Sequence, residues 1–246
     1  MKASHRITRQ NYSERTRLIF DLDTRQSDSP FVEQVWRARS MRSGTFNSIS
    51  VTHWEMVVSH RDGSTTFTIR GPQTRSAPLA CVPGGDWVGI RFKLGTFMPR
   101  ILPGSLLNRD INLPNAGVRT FWLDSSVWQL PDFDNADCFV DRLAKLGLLT
   151  SDPKVDNAIQ GDVGDVSSRS LQRRFLQTTG LTQSTIRQID RARSAMDRLQ
   201  QGVPILDVVH DFGFYDQPHL SKSLKRWLGE TPTEIAGLSQ FDWVSF

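Results

Sequence analysis

Cysteine is scarce in this chain: Cys81 and Cys138 are the only two among 246 residues. That excludes a disulfide framework as the source of stability. No run of 18 apolar residues occurs, so no segment reads as a membrane-spanning helix. No signal-peptide core lies near Met1, and the expected location is the cytoplasm. Metal-ligand patterning is thin as well. His53 and His60 stand seven apart, with no H-x-H pair and no clustered carboxylates, so neither a metal nor a cofactor is expected. With those ligands and any cysteine cluster missing, catalysis is the weaker expectation.

The length suffices for two domains with real cores. The formal charge is +4, which is compatible with nucleic acid but weak evidence alone. Its distribution says more. Residues 151–246 carry 11 basic against 12 acidic side chains, whereas residues 167–230 carry 10 against 6. Positive charge is therefore focused within the C-terminal third, as phosphate affinity requires.

That same stretch contains a duplication. At a shift of 49, Leu171 falls on Leu220, Gly180 on Gly229, Thr182 on Thr231 and Ile186 on Ile235. Apolar, glycine and capping positions stay in step, which marks a repeated unit. In the second copy, Ile205, Val208, Val209 and Phe212 form one apolar helix face. Pro204 suits its first turn, Gly213 its end, and Asp216 caps the following helix with Pro218 in its first turn. That next helix buries Leu220, Leu224, Trp227 and Leu228, leaving Gln217, His219, Ser221, Lys222 and Lys225 on its other face. Such donors read base edges or hold phosphates; a plain solvated face is the alternative.

The first copy is uneven. Ser167 caps a helix with Leu171 and Phe175 inside and Arg169, Gln172, Arg173 and Arg174 on or near its outer face. Arg pairs bidentately with guanine and Gln with adenine, so this helix has the stronger readout chemistry. The preceding segment, 156–163, is poor, because Gly161 and Gly164 each weaken a helix by about 1 kcal/mol. Asp165 stands where the second copy has Phe214. A short or distorted helix starting at Asp152-Pro153 is expected. Between the copies, Ile186, Ile189, Ala192, Met196 and Leu199 predict one helix over 182–201, about 27 Å long. That is compatible with two heads entering successive major grooves about 34 Å apart.

Residues 152–237 resemble the DNA-binding domain of AraC-type (AraC/XylS) transcriptional regulators, two helix-turn-helix units joined by a long helix. The likeness rests on Leu171-Gln172-Arg173-Arg174-Phe175, Thr179-Gly180-Leu181-Thr182, Gly213–Leu220 and Gly229-Glu230-Thr231-Pro232. It implies base contacts from Arg169, Gln172 and Arg173 in the first unit, and from Gln217, His219 and Lys222 in the second, with Lys225 near phosphate. Ser221 shares that second face. Two departures stand out: the eroded first scaffold, and Val209 where the family usually has a small residue. The resemblance implies promoter or operator DNA as partner, with RNA polymerase, a small-molecule effector and a second copy as further partners.

The first 150 residues read differently. Residues 1–28 are polar, Arg-rich and expected to be partly flexible. From 29 to 149 the pattern is strand-like. Ile49, Val51, Trp54, Met56 and Val58 form one candidate strand, Asp62-Gly63 a hairpin turn, and Val88, Ile90, Phe92 and Leu94 one face of another strand. Residues 135–149 read as a helix with Phe139, Leu143 and Leu146 on a face. Many short strands with turns point to a β-barrel or sandwich. The expected fold is α+β: a β-rich domain, then an all-α domain over 150–240.

The AraC-type resemblance together with this β pattern implies a cupin-like sensory or dimerisation domain. Candidate ligand contacts are His53, Trp54, Glu55 and Arg91, with Trp122 and Trp128 behind them, because His53-Trp54-Glu55 sits in a strand expected to line the barrel. A surface or satisfied-core role is the alternative for each. Three functional readings follow: a ligand-responsive regulator, a DNA-binding protein whose β domain only dimerises, and a cupin-like enzyme with a DNA-binding tail.

Overall fold

The computed structural model describes residues 19–159, 161, 162, 164, 166–237, 243 and 244. The expectations placed on residues 1–18, Val163 and Asp165 lie outside the described residues.

Among the described residues the β-rich half contains twelve strands: β1 (Phe20–Arg25), β2 (Val32–Ser40), β3 (Gly44–Ser48), β4 (Glu55–Arg61), β5 (Ser64–Arg70), β6 (Ala77–Cys81), β7 (Asp86–Phe92), β8 (Thr96–Phe97), β9 (Asp110–Leu113), β10 (Asn115–Gly117), β11 (Thr120–Leu123) and β12 (Ser126–Gln129). Six of them form an antiparallel sheet in the order β1-β2-β7-β4-β5-β9. The β4–β5 hairpin turns at Asp62-Gly63, whose φ values of 51° and 73° suit a tight turn matching the strand twist.

Both faces of this sheet are covered. On one side Met56, Val58, Phe67, Ile69, Ile90 and Phe92 pack with Phe121, Trp128, Phe139 and Leu143, the last two from α1 (Ala136–Lys145). On the other, Trp36, Ala38 and Val57 meet Phe46 and Cys81 of the paired β3 and β6. A sheet apolar on both faces needs two covering layers. The result is a sandwich feeding into a helical half, in line with the expected α+β class.

Two local expectations change. The strand expected from Ile49 to Val58 begins only at Glu55. Residues 49–54 leave the sheet, and Ile49 is buried among side chains of the helical half. Leu146, expected on the buried face of α1, is 60% exposed because the helix ends at Lys145.

The helical half opens with β13 (Thr150–Ser151), paired to β8, then α2 (Pro153–Ile159), α3 (Ser168–Thr179), α4 (Gln183–Gln200), α5 (Ile205–Asp211), α6 (Gln217–Leu228) and α7 (Pro232–Gly237). β14 (Trp243–Val244) runs back to pair with β3. The first scaffold helix, α2, has seven residues and starts at Pro153, short as expected. The core of the first unit, Val155, Ala158, Leu171, Phe175, Leu181 and Ile186, is extended by Leu94 and Leu107 from the β-rich half. Ile49 does the same for the second core, built on Ile189, Leu199, Val208, Leu220, Leu224 and Trp227.

Candidate nucleic-acid interface

The helix ends are set by local chemistry. The hydroxyl of Ser167 accepts from the Ser170 backbone N–H at the start of α3, and the Asp216 carboxylate accepts from the His219 N–H at the start of α6. Each satisfies one of the orphan donors of a helix N-terminus. Gly180 ends α3 at φ 74°, a left-handed conformation that a side chain would strain, and Gly229 repeats the device after α6.

Helical period then sorts the side chains of α3. Leu171, Phe175, Thr178 and Thr179 are buried, while Arg169, Gln172, Arg173, Leu176 and Gln177 are exposed along the opposite ridge. Arg174 turns back: its guanidinium donates to Asp152 at 2.7 Å, tying α3 to the segment leading into α2. In α6, Leu220, Leu224, Trp227 and Leu228 are buried, Gln217, His219, Lys222 and Lys225 exposed, and Ser221 half-buried.

His219 has a second task. Its Nδ1 accepts from the Tyr215 backbone N–H at 3.2 Å, and its ring stands edge-on to Phe214. This staples the turn to α6 and puts the ring proton on Nε2. Neighbouring Tyr215 is 91% exposed.

Between the two heads runs α4, eighteen residues long, capped at Thr182 and buried along Ile186, Ile189, Ala192, Ala195, Met196 and Leu199. Its first turns and α3 enclose a concavity of about 740 Å³ lined by Gln172, Leu176, Thr182, Gln183, Ser184, Arg187, Gln188 and Arg191. Leu176, Gln183, Ser184 and Gln188 were not singled out by sequence reasoning. The run of small polar residues after Gly180, followed by Arg187 and Arg191 four apart, is the signal that marks this wall. Arg191 also lies over the Phe214 ring at 4.4 Å, so it bridges the connecting helix to the second turn.

The four candidate ligand residues separate in the structure. Trp54 stacks on Phe92 with ring centroids 4.0 Å apart and donates its indole N–H to the Thr96 carbonyl, so it is core. Glu55 accepts from the Trp36 indole and from Arg70, a structural network within the sheet. Trp128 is core as well, and Trp122 is exposed on the small sheet. His53 and Arg91 instead line a cleft of about 660 Å³ shared with Glu33, Gln34 and Lys93 of the β-rich half and Asp156, Asp190, Arg193 and Asp197 of the helical half. Sequence reasoning did not place Arg193 or the three aspartates beside His53, from which they are far along the chain.

Electrostatics in this cleft are unusual. Burial holds the His53 imidazole well below its ordinary range, and the charges of Arg91 and Arg193 push the same way. His53 is thus neutral at pH 7, and its Nε2 is buried without a hydrogen-bond partner among the described residues. Burial likewise lowers the guanidinium of Arg193 and raises the carboxyls of Asp190 and Asp197. Among the described residues no group of three or more His, Cys, Asp or Glu side chains is arranged to hold a metal.

Residues 163–237 match a family model described as "Helix-turn-helix domain". This region is a helix-turn-helix domain. Two solved structures are similar to it. ToxT from Vibrio cholerae shares 11% identity over 89% of this chain and 98% of that one, with a TM-score of 0.38. ToxT from Vibrio cholerae O395 bound to (E)-4-(8-methylnaphthalen-1-yl)but-3-enoic acid gives 11% identity, the same coverages and a TM-score of 0.36. No curated protein matches. Among the described residues no helix is long and apolar enough to cross a membrane.

Proposed function

We propose that the two helix-turn-helix units read one side of a promoter or operator duplex, and that the β-rich half, residues 29–149, senses a small polar effector. In this reading Arg169, Gln172 and Arg173 contact bases from α3. Gln217, His219, Ser221 and Lys222 do so from α6, while Lys225 holds phosphate. The observation that carries it is the sorting of α3 and α6: each buries its apolar stripe and leaves its donors on the opposite side, with one eighteen-residue helix between them. The protein acts by binding, with no catalytic step. Site selection on the full chain tests this. Two base-specific blocks about one helical turn apart are expected; a protein that enriches no sequence would sink the reading.

The effector reading rests on the cleft between the halves. Only Leu94 and Ile159 among its lining residues are apolar, which favours a compact polar ligand over a long hydrocarbon. Donors and acceptors come from both halves, so a ligand filling the cleft would bind only one relative placement of them and shift their equilibrium. Calorimetric titration with a panel of small polar metabolites, repeated on Arg193→Met, checks it. A ligand bound equally well by both proteins would place the effector site elsewhere.

A further inference from the structure

The short 3-10 turn Pro103–Leu106, which projects from the β-rich half, packs against α3. Gly104 and Gly180 make the approach possible. A Cβ placed on Gly180 would lie 2.7 Å from the Gly104 Cα and 3.0 Å from the Pro103 carbonyl carbon, closer than side-chain carbons come. The turn does not stop at the helix end. Leu102 and Ser105 wall the same concavity, about 470 Å³, as Arg169, Gln172 and Arg173.

We propose that this turn is an autoinhibitory wedge: seated beside the reading ridge of α3, it keeps duplex DNA out until it withdraws. The inference rests on α3 being a reading helix. The steric argument is simple. An α-helix with its side chains is about 10–12 Å across, and the major groove is about 12 Å wide. A reading helix fills its groove, and no room remains beside its ridge for a second segment of chain. The composition of the turn points the same way. Leu102, Pro103 and Gly104 offer neither charge nor a side-chain donor to phosphate or base, and the Ser105 hydroxyl already donates to the Leu102 carbonyl at 2.7 Å. The turn therefore blocks DNA and adds no grip on it.

The wedge is also held from behind. The Asn108 backbone N–H donates to the Pro72 carbonyl at 2.9 Å, and the Asn108 side-chain oxygen accepts from the Thr74 N–H at 2.7 Å. Its position is thus set by the β-rich half. A shift of that half relative to α3 moves the turn with it, which gives the sensing half a direct mechanical hold on the first reading head.

Gly104 provides a clean test. Its φ lies outside the left-handed region, so a side chain is not strained there. A Cβ at Gly104 would rest 3.5 Å from the Gly180 Cα and from the Leu176 carbonyl, which is ordinary contact. Gly104→Ala should leave the turn seated. Gly104→Val adds two methyl groups at that contact and should lever the turn away. Fluorescence anisotropy of the full chain on its selected duplex should show about fivefold or greater tightening for Gly104→Val, because apparent affinity scales with the competent fraction. Gly104→Ala should stay within about twofold of the parent by the same scaling. Leu102→Ser, a surface change that removes the apolar tip, should tighten binding in the same direction and decides the matter if the valine variant fails to fold.

Unchanged or weakened binding in both Gly104→Val and Leu102→Ser overturns the wedge. Arg173→Ala on the Gly104→Val background separates the two ideas. Loss of the gained affinity supports both. Tightening by Gly104→Val that survives Arg173→Ala with base preference intact would reject α3 as the reader. A fall in affinity on Arg173→Ala with no tightening from either turn variant would reject the wedge alone.

Discussion

Asp152 and Arg174 form an ion pair at 2.7 Å, with the Asp152 side chain only 11% exposed. The same carboxylate accepts from the Lys154 backbone N–H at the start of α2. One side chain therefore caps the short scaffold helix and fastens it to α3, a compensation for the two glycines that follow α2.

These two tasks can be separated. Asp152→Asn keeps a capping oxygen and removes the charge; it should cost below about 1 kcal/mol, as partly exposed pairs do. Asp152→Ala removes both and should cost about 1–2 kcal/mol in total. Urea melts of the two variants check the order. Equal losses would mean that the cap contributes nothing.

Arg173→Ala should relax base preference at one base pair, at a cost of about 1–3 kcal/mol there. Lys225→Ala should weaken binding almost equally on all sequences and flatten the salt dependence by about one unit. Titrations on matched and single-mismatch duplexes at several salt concentrations measure both. Wild-type behaviour in the two variants would refute the docking described above.

His53 makes stability depend on pH. Its folded value is depressed, so the unfolded chain binds the proton more readily, and stability rises with pH across the window between the two values. The contribution is complete above the ordinary histidine range, about 6.5, and is lost as pH falls below it. The raised carboxyls of Asp190 and Asp197 act oppositely at lower pH: the folded state holds their protons, and that contribution fades as pH rises through their folded values. Between pH 6.5 and 5.5 the unfolding free energy should fall with a slope of up to about 1.4 kcal/mol per unit. His53→Gln should flatten that slope; an unchanged slope would assign it to other groups.

Ile49 joins the two halves. It is 3% exposed and packs within the core of the second unit, while the adjacent Ser50 N–H donates to the Trp227 carbonyl at 3.1 Å. Ile49→Ala should cost about 2–4 kcal/mol and weaken the docking of the β-rich half on α4 and α6. Differential scanning calorimetry should show one transition in the parent and a lower or split transition in the variant.

What could be read directly was local. Ser167, Gly180, Thr182, Asp216 and Gly229 act within three or four residues of themselves, so the bounds of α3, α4 and α6 follow from short-range hydrogen bonding and left-handed backbone. The exposure of Arg169, Gln172 and Arg173 follows from helical period alone. The strand read through Ile49 failed because alternation cannot tell a partner in the sheet from one in a distant helix. Helical period likewise places Arg174 among the outward-facing arginines, and only the non-local partner Asp152 draws it inward.

The amino-acid sequence by itself determined the duplicated helical unit and its donor-bearing faces, because caps, turns and amphipathic periods are short-range properties of the chain. Only the tertiary structure decided which residues meet from far apart: Leu94 and Leu107 completing the first core, His53 and Arg91 facing Arg193 across a cleft, and Gly104 against Gly180. Those encounters depend on a sheet ordered β1-β2-β7-β4-β5-β9 and on how it packs against α3 and α4. Such non-local pairings arise from the simultaneous burial of many side chains and leave no mark in any one stretch of residues.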